Sequence, residues 1–596
     1  MTHSSPLPRA TRRAIVLIAL MQGLALYLAQ EMAGSWPLQD VGSRYRWFAW
    51  VLTVPTALAL TLVDLRDRRM WLHAVLASVV VLGLASWIGW NLQGEPGLRS
   101  EPLRMPFSLA MATATFISLP WWQHRLQHGH WRASYDALFE RAWQNGLTLA
   151  LAAAFTLLTW LLLWLWAALF GLLKITFFQQ LFGQNAFIAL TTGMLAGFGV
   201  LIGRTQERAI QITRQVLFAL CRGLLPLLSF ITVIFTLSLP WAGLEALWST
   251  RSAAFLLLTL SLLLVSFVNA VYQHDSEAPP YPVLLRRLVE GSLVALPVLA
   301  GLALYATTLR VGQYGWTPER FWAVLIAVVV GGYALGYAWA ALRRGGRWLQ
   351  GLEPVNRVMC WVVLATALLA SSPVLDPVRI TLDSQRARLR AHPEALTVAD
   401  AMLLRFDVGH RGVQVLRALR HDPAFAADAR AVSVVEQVLA REAPWGGETL
   451  DAGIRDAAAL RARFALAAGS TAPPDSWWTA VLARELEAGS CLDGEQPCVV
   501  SHLDLDGDGQ PEVLLCALPP QMGAYCQLHA QGRNGWWSVG GYSFGAGTVR
   551  GGSERLHAAV REGRLVPQAP RWPGLSADGQ PPVPIDDPSD EPEKTP

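Results

Sequence analysis

The chain has 596 residues, 53% of them hydrophobic and only 15% charged, with a net charge of +4. Ordinary globular proteins carry about 25% charged residues, so this composition excludes a chain that is soluble along its whole length. The small net charge, with no basic stretch interleaved with aromatics, offers no footprint for nucleic acid. No G-x-x-x-x-G-K-[ST] loop offers one for a nucleotide.

The apolar residues are unevenly spread. Residues 1–375 hold runs such as LTLALAAAFTLLTWLLLWLWAALFGLL (147–173), whereas residues 376–596 read as a soluble part. A membrane-crossing helix needs roughly 20 mostly apolar residues. Eleven such segments are expected, at 13–32, 46–64, 71–91, 105–122, 146–173, 186–203, 223–243, 252–272, 288–309, 321–342 and 357–374. Tryptophans gather at their ends, as in LPWWQHR, SLPWAG and ERFW, where an amphipathic ring suits the lipid–water boundary. The first run follows PRATRR, but LAQEMAGSWPLQD after it makes a poor cleavage site, so it reads as a retained span rather than a signal peptide.

Beyond the last span, residues 376–470 have helical spacing, and DSWWTAVLARELEAG (475–489) continues it. The runs CVVSHLDL, PEVLLCAL, AYCQLHAQ and NGWWSVGGYSF then alternate with period two and read as an antiparallel sheet. The end, GQPPVPIDDPSDEPEKTP, has the composition of a disordered tail.

Positive charge orients the bundle, because cytoplasmic loops accumulate it. With the N-terminus inside, Arg9, Arg12, Arg13, Arg66, Arg68, Arg69, Arg125, Arg132, Arg141, Arg204, Arg208, Arg214, Arg222, Arg286, Arg287, Arg343, Arg344, Arg347 and Arg357 face inward. These nineteen stand against eight outside: Arg44, Arg46, Arg99, Arg104, Lys174, Arg251, Arg310 and Arg320. An odd number of spans then puts the C-terminal part in a bacterial periplasm. The cysteines agree. Cys221 and Cys360 fall in or beside spans, while Cys491, Cys498, Cys516 and Cys526 crowd into one stretch of the soluble part, as disulfides of an oxidising compartment do. Their spacing lacks the close pairs of a zinc site. Four cysteines allow three pairings, and the local closures Cys491–Cys498 and Cys516–Cys526 are preferred.

The expected fold is therefore mostly α: about eleven transmembrane helices (1–375), a periplasmic helical segment (376–470), a small periplasmic α+β domain (471–575) and a disordered tail (576–596).

Three segments, LRVGQYGWTPERFWA (309–323), ITLDSQRARL (380–389) and LLRFDVGHRG (403–412), occur together. The combination resembles the polytopic bacterial membrane proteins with the domain of unknown function 4153. The resemblance implies a bacterial inner membrane and brings no activity or catalytic residues with it.

Chemistry-bearing residues are few. Ionisable groups deep in a span mark ion or proton paths, but Glu31, Asp64 and Glu290 sit at span ends. Gln22 and Asn269 remain as buried polar side chains, and Asn269 reads as an interhelical hydrogen bond rather than a ligand. His124, His128 and His130 follow the fourth span without the carboxylate of an H-E-x-x-H site, so they read as part of a basic inner loop. GYSFG (541–545) matches the G-x-S-x-G nucleophile elbow, yet loop-like residues follow it, with only Glu554 and His557 as downstream partners. In YGWTPER, Thr317 is expected to cap a helix that has Pro318 at its first position. Tyr314, Trp316 and Trp322 would lie at the interface, and Arg310 and Arg320 could reach lipid phosphate or the periplasmic domain.

One motif in the soluble part is metal-like. In HLDLDGDGQPEVLL (502–515), Asp504, Asp506 and Asp508 occupy alternate positions, Gly509 allows a bend, Gln510 offers a carbonyl and Glu512 stands ninth. Position twelve is Leu515 rather than glutamate, so this is no EF-hand; the pattern resembles the hairpin loops of integrin-type propeller repeats, joining the first two strands. Oxygen ligands select calcium, and the plainer alternative is an Asx-stabilised turn.

The expectation is a non-enzymatic inner-membrane protein whose periplasmic domain, with calcium, binds or scaffolds, its partners being membrane lipid and envelope proteins. The alternative is a transporter or lipid-handling protein whose periplasmic domain gates or delivers substrate.

Overall fold

Inside a bilayer the backbone must satisfy its own hydrogen bonds, and a continuous helix does so. In a computed structural model, residues 7–95, 97–243, 253–272, 280–343, 348–441, 456–483, 486, 488, 491–492, 496–507, 509–519, 523–532, 535–545 and 552–566 are described. Each expected apolar run falls on a long helix: Arg9–Glu31, Val41–Thr61, Arg68–Asn91, Glu101–His128, Tyr135–Leu172, Asn185–Thr205, Glu207–Ala242, Ala253–Val271, Val283–Tyr314, Pro318–Leu342 and Leu352–Ala370. Nine of them, among the described residues, are long and apolar enough to cross a membrane. Val41–Thr61 and Glu101–His128 have the length but dilute their apolar residues with arginine, serine, threonine and proline.

Most helices start a few residues before the apolar runs, and those beginning at Tyr135 and Glu207 start well before them. Tyr135–Leu172 has 38 residues, about 57 Å at 1.5 Å per residue, against a hydrocarbon core of about 30 Å. Its polar first turns are capped by Ser134, whose hydroxyl accepts from the Ala137 amide at 3.4 Å. A helix does not have to end where the lipid does.

Close packing rests on small residues. A side chain at Gly23 would meet the Ala189 carbonyl oxygen at 2.3 Å, and one at Gly193 the Ala19 oxygen at 2.5 Å, so Arg9–Glu31 and Asn185–Thr205 touch backbone to backbone. Polar side chains tie other helices together. Gln22 donates to the Val51 carbonyl at 3.0 Å and to Thr56 at 3.1 Å. Asn269 is an interhelical acceptor, as expected, within a buried cluster. Asn356 donates to Asn269 at 2.7 Å and to the Tyr135 hydroxyl at 3.0 Å, and accepts from Tyr337 at 2.6 Å.

Contacts divide the chain into two compact units, one running to Val435 and the other made mostly of the residues after Trp445. The expected helical segment 376–470 is thereby split. Its helices Pro377–Ala391, Val398–Met402, His410–Arg420 and most of Ala429–Ala440 belong with the bundle. Ala457–Arg463 instead packs with the sheet, through Leu460 beside Trp477.

The second unit is a five-stranded sheet in the order β1 (Ala465–Leu466), β2 (Cys498–Leu503), β3 (Glu512–Ala517), β4 (Ala524–Gly532) and β5 (Gly535–Phe544). β1 runs parallel to β2 and every later pair is antiparallel. Trp477 and Trp478 of the Asp475–Leu482 helix cover Val500, Val513 and Leu515 on one face. Leu556 and Val560 of the Gly552–Arg561 helix cover Val499, Leu514 and Cys516 on the other. Cys491 pairs with Cys498 and Cys516 with Cys526, the latter directly across β3 and β4. The expected tail 576–596 lies outside the described residues.

Asn356→Ala removes three hydrogen bonds worth about 0.6 kcal/mol each in a membrane. Detergent-solubilised protein carrying it should melt several degrees below wild type. An unchanged melting temperature would mean the cluster does not hold the helices.

Candidate functional site

The acidic hairpin lies between β2 and β3, whose last and first residues, Leu503 and Glu512, are register partners. The short β1 precedes them, so the loop joins the second and third strands, not the first two. Gly507 and Gly509, at φ +80° and +85°, turn the chain so that their amides donate to the two carboxylate oxygens of Asp504, at 2.7 and 3.0 Å. The Leu505 amide donates to Glu512 Oε2 at 2.7 Å. One ligand oxygen from each of Asp504, Asp506 and Glu512 lies within 4.8 Å of the others. Calcium–oxygen distances of 2.3–2.6 Å let two ligands of one ion stand up to about 5.2 Å apart, so this trio could hold a metal ion. Gln510 belongs to the same loop, and Asp508 lies outside the described residues. The amide bonds alone would also make an Asx-type turn.

Other sequence candidates are placed differently. Ser543 sits within β5, opposite Tyr525, rather than at a strand-to-helix elbow. His557 is buried, its Nε2 3.2 Å from the Gly523 carbonyl oxygen. His124, His128 and His130 do cluster, with ring centroids 4.3–6.1 Å apart, but His124 and His128 stack nearly parallel and their nitrogens do not converge on one point. Glu290 accepts from Trp348 Nε1 at 3.1 Å and pairs with Arg286.

The larger polar constellation, which no single motif announced, lies in the first unit and is built from the three segments LRVGQYGWTPERFWA, ITLDSQRARL and LLRFDVGHRG. Thr317 caps Pro318–Leu342 as expected, accepting from the Arg320 amide at 3.3 Å. Arg320 turns back to donate to the Gly315 carbonyl at 2.7 Å, so it braces its own loop. The fully buried Gln385 donates to the Tyr314 and Trp316 carbonyls at 3.1 and 2.9 Å, while Ser384 accepts from the Trp316 amide at 3.1 Å. Gln385 accepts in turn from Arg388, which pairs with Asp400 at 3.0 Å.

The third segment grips the loop after Arg68–Asn91. The Phe406 carbonyl accepts from the Arg99 amide at 2.8 Å, and Arg99 pairs with Asp407 at 3.3 Å. Burial pushes the Asp407 carboxyl above its ordinary range, against the pull of Arg99. Arg411 reaches Asn91 Oδ1 at 3.3 Å and pairs with Asp376, which is 4% exposed. Arg417 makes a two-pronged pair with Glu95 at 2.6 and 3.1 Å. Gly409 has φ +76°, and a Cβ there would lie 2.1 Å from the Asn91 carbonyl oxygen.

Alanine at Gly409 would face both a left-handed backbone, costing about 1–2 kcal/mol, and that collision. Gly409→Ala should lower the melting temperature of the full-length protein in detergent more than Gly507→Ala, whose site is open. Equal effects would remove the packing argument.

A family model described as "Domain of unknown function (DUF4153)" matches residues 47–419. Every residue of the polar constellation lies inside that range, and the acidic hairpin lies outside it. Neither the curated proteins nor the solved structures contain a match to the chain. Matched over well above half its length, the chain belongs to the family that carries the domain of unknown function DUF4153.

Proposed function

We infer that this is a non-enzymatic integral protein of a bacterial inner membrane, with eleven crossings, a cytoplasmic N-terminus and a periplasmic C-terminal part that binds or scaffolds envelope components. The observation that carries it is the fastening of the segment after the last span onto the loops 91–99 and 314–317. Four arginine–carboxylate pairs and the Gln385 bonds hold that segment at one end of the bundle.

Contacts between helix ends support the count by parity. Gln93, after the third long helix, donates to Asp40 at the start of the second, at 2.7 Å, while Asn91 meets Arg411 beyond the last. Thr11, in the first turns of the first helix, donates to the Val63 carbonyl after the second, at 2.8 Å. Tyr135, which begins the fifth, meets Asn356 near the start of the last. These neighbours share a membrane face if Val41–Thr61 and Glu101–His128 cross along with the nine more apolar helices. The N-terminus and the segment after the last span then lie on opposite faces, and the arginine bias puts the N-terminus inside.

Calcium is proposed as the ion of the hairpin, because hard oxygen ligands alone line it. A lipid-handling role is the second reading. It is favoured by two apolar cavities, of about 350 and 470 Å³, on either side of the wall formed by Val41–Thr61 and Glu101–His128.

A reporter fused at residue 596 should be active only in the periplasm and one at Arg347 only in the cytoplasm; the opposite pattern would overturn the orientation. Mass mapping without reductant should find Cys491, Cys498, Cys516 and Cys526 all oxidised. In chelator-stripped full-length protein, calcium at a hundredfold excess over its dissociation constant should add about 2.7 kcal/mol, slowing amide exchange across 498–517 roughly 100-fold. Asp506→Ala should abolish the slowing. Exchange indifferent to calcium would reduce the hairpin to a turn.

A further inference from the structure

The smaller cavity, about 350 Å³, lies between Val41–Thr61, Arg68–Asn91, Glu101–His128 and Leu352–Ala370. Its walls combine small side chains (Ala57, Ala77, Ala114) with large apolar ones (Val81, Leu364, Leu368). Four hydroxyl residues line it, and three of them spend their hydroxyls on helix carbonyls. Thr61 donates to the Ala57 carbonyl at 2.8 Å, Thr115 to Met111 at 2.7 Å and Ser118 to Thr115 at 3.2 Å, each within its own helix. Water entering would find few partners, and apolar cavities without them stay dry.

Its shape is that of a slot. From Met111 to Leu126 it follows fifteen residues of one helix, about 22 Å at 1.5 Å per residue. That length suits an extended acyl chain, and the apolar lining suits its hydrocarbon.

One end is polar and cationic. His73, Trp122 and Trp131 pack edge to face there, with centroids 4.1–6.2 Å apart. The Arg125 guanidinium lies 5.0 Å from the Trp131 ring centre and donates to the Gly129 carbonyl. Arg69 reaches the same turn, its Nη1 3.7 Å from where a Gly129 Cβ would stand. Neither arginine makes an ion pair among the described residues. An aromatic collar of this kind sits at headgroup depth, and arginines beside it match a phosphate in charge and fork geometry.

We propose that this cavity is a binding site for one anionic phospholipid, with an acyl chain in the slot and its phosphate on Arg69 and Arg125. With the N-terminus inside, the mouth opens to the cytoplasmic leaflet, where anionic lipids are abundant. The binding itself does not depend on that orientation, and it supplies the lipid-handling reading with a named substrate class.

The test uses full-length protein in mild detergent, exposed to equal amounts of phosphatidylglycerol and phosphatidylcholine with the same chains and read by native mass spectrometry. One phosphatidylglycerol should be retained per chain, with at least tenfold preference. Arg69→Gln with Arg125→Gln should cut that preference to twofold or less while leaving chain-dependent retention. Ala77→Phe, which fills the slot, should abolish retention of both lipids. Ala114→Leu, a milder filling with the wild-type melting temperature as its folding control, should weaken it at least fivefold. Short-chain glycerophosphate should not compete. Equal retention of both lipids by wild type, undiminished retention by the filled variants, or displacement by glycerophosphate would each overturn the proposal. A failed reporter pattern would overturn the topology alone.

Discussion

Asp376 follows directly on the last span and is almost wholly removed from water. A buried carboxylate is tolerated only when a cation and further hydrogen bonds meet it, and removing one partner of such a pair costs about 3–5 kcal/mol. Here one oxygen caps the next helix by accepting from the Val378 amide, and the other takes Arg411. Arg411 also stands over Trp87 and bonds Asn91. Satisfying this one carboxylate therefore folds the chain back across the loop that ends the third helix. Two further pairs of that face, Arg99–Asp407 and Arg417–Glu95, tie the same returning segment to residues 95 and 99.

The two largest polar clusters of the bundle lie toward its two ends. At one end lies the constellation around Asp376 and Gln385; at the other, Asn356 holds Tyr135, Asn269 and Tyr337. Between them the packing is mostly apolar, with Leu264, Leu293, Leu296 and Leu299 fully buried and isolated bonds such as Gln22 to Thr56 and Ser292 to Ser229. Polar bonds are worth most where no water competes, so a ring of them at each end fixes helix ends that dispersion forces alone would leave free to slide. The apolar middle leaves room for slots that hold hydrocarbon but offer ions nothing.

In the sheet unit a different limit applies. Both faces of β3 are buried, and each face carries one disulfide, Cys491–Cys498 with the tryptophan layer and Cys516–Cys526 with the Gly552–Arg561 layer. A domain of this size buries a modest core, and cross-links shrink the unfolded ensemble it must outweigh. The acidic hairpin closes the β2–β3 pair at its open end, where an ion bound by folded carboxylates would add to the same balance.

What the sequence by itself determined is local. Apolar runs became helices, period-two runs became strands within a residue or two, Thr317 capped its helix, and the short loops between cysteines selected Cys491–Cys498 and Cys516–Cys526. Each follows from hydrogen bonds or chain closure over a few residues, which spacing and composition report. The hairpin carboxylates Asp504, Asp506 and Glu512, which could hold an ion, were legible for the same reason. The helices that begin at Tyr135 and Glu207 extend well before the apolar runs 146–173 and 223–243, because polar turns keep helical bonds that hydropathy ignores. What only the tertiary structure decided is which distant groups meet: Arg411 with Asn91, 320 residues apart, Asn356 with Tyr135, 221 apart, and the four helices around the slot. A lone glutamine, asparagine or arginine carries no record of its partner, because the free energy of burying it depends on a second residue that only the folded chain brings into hydrogen-bonding range.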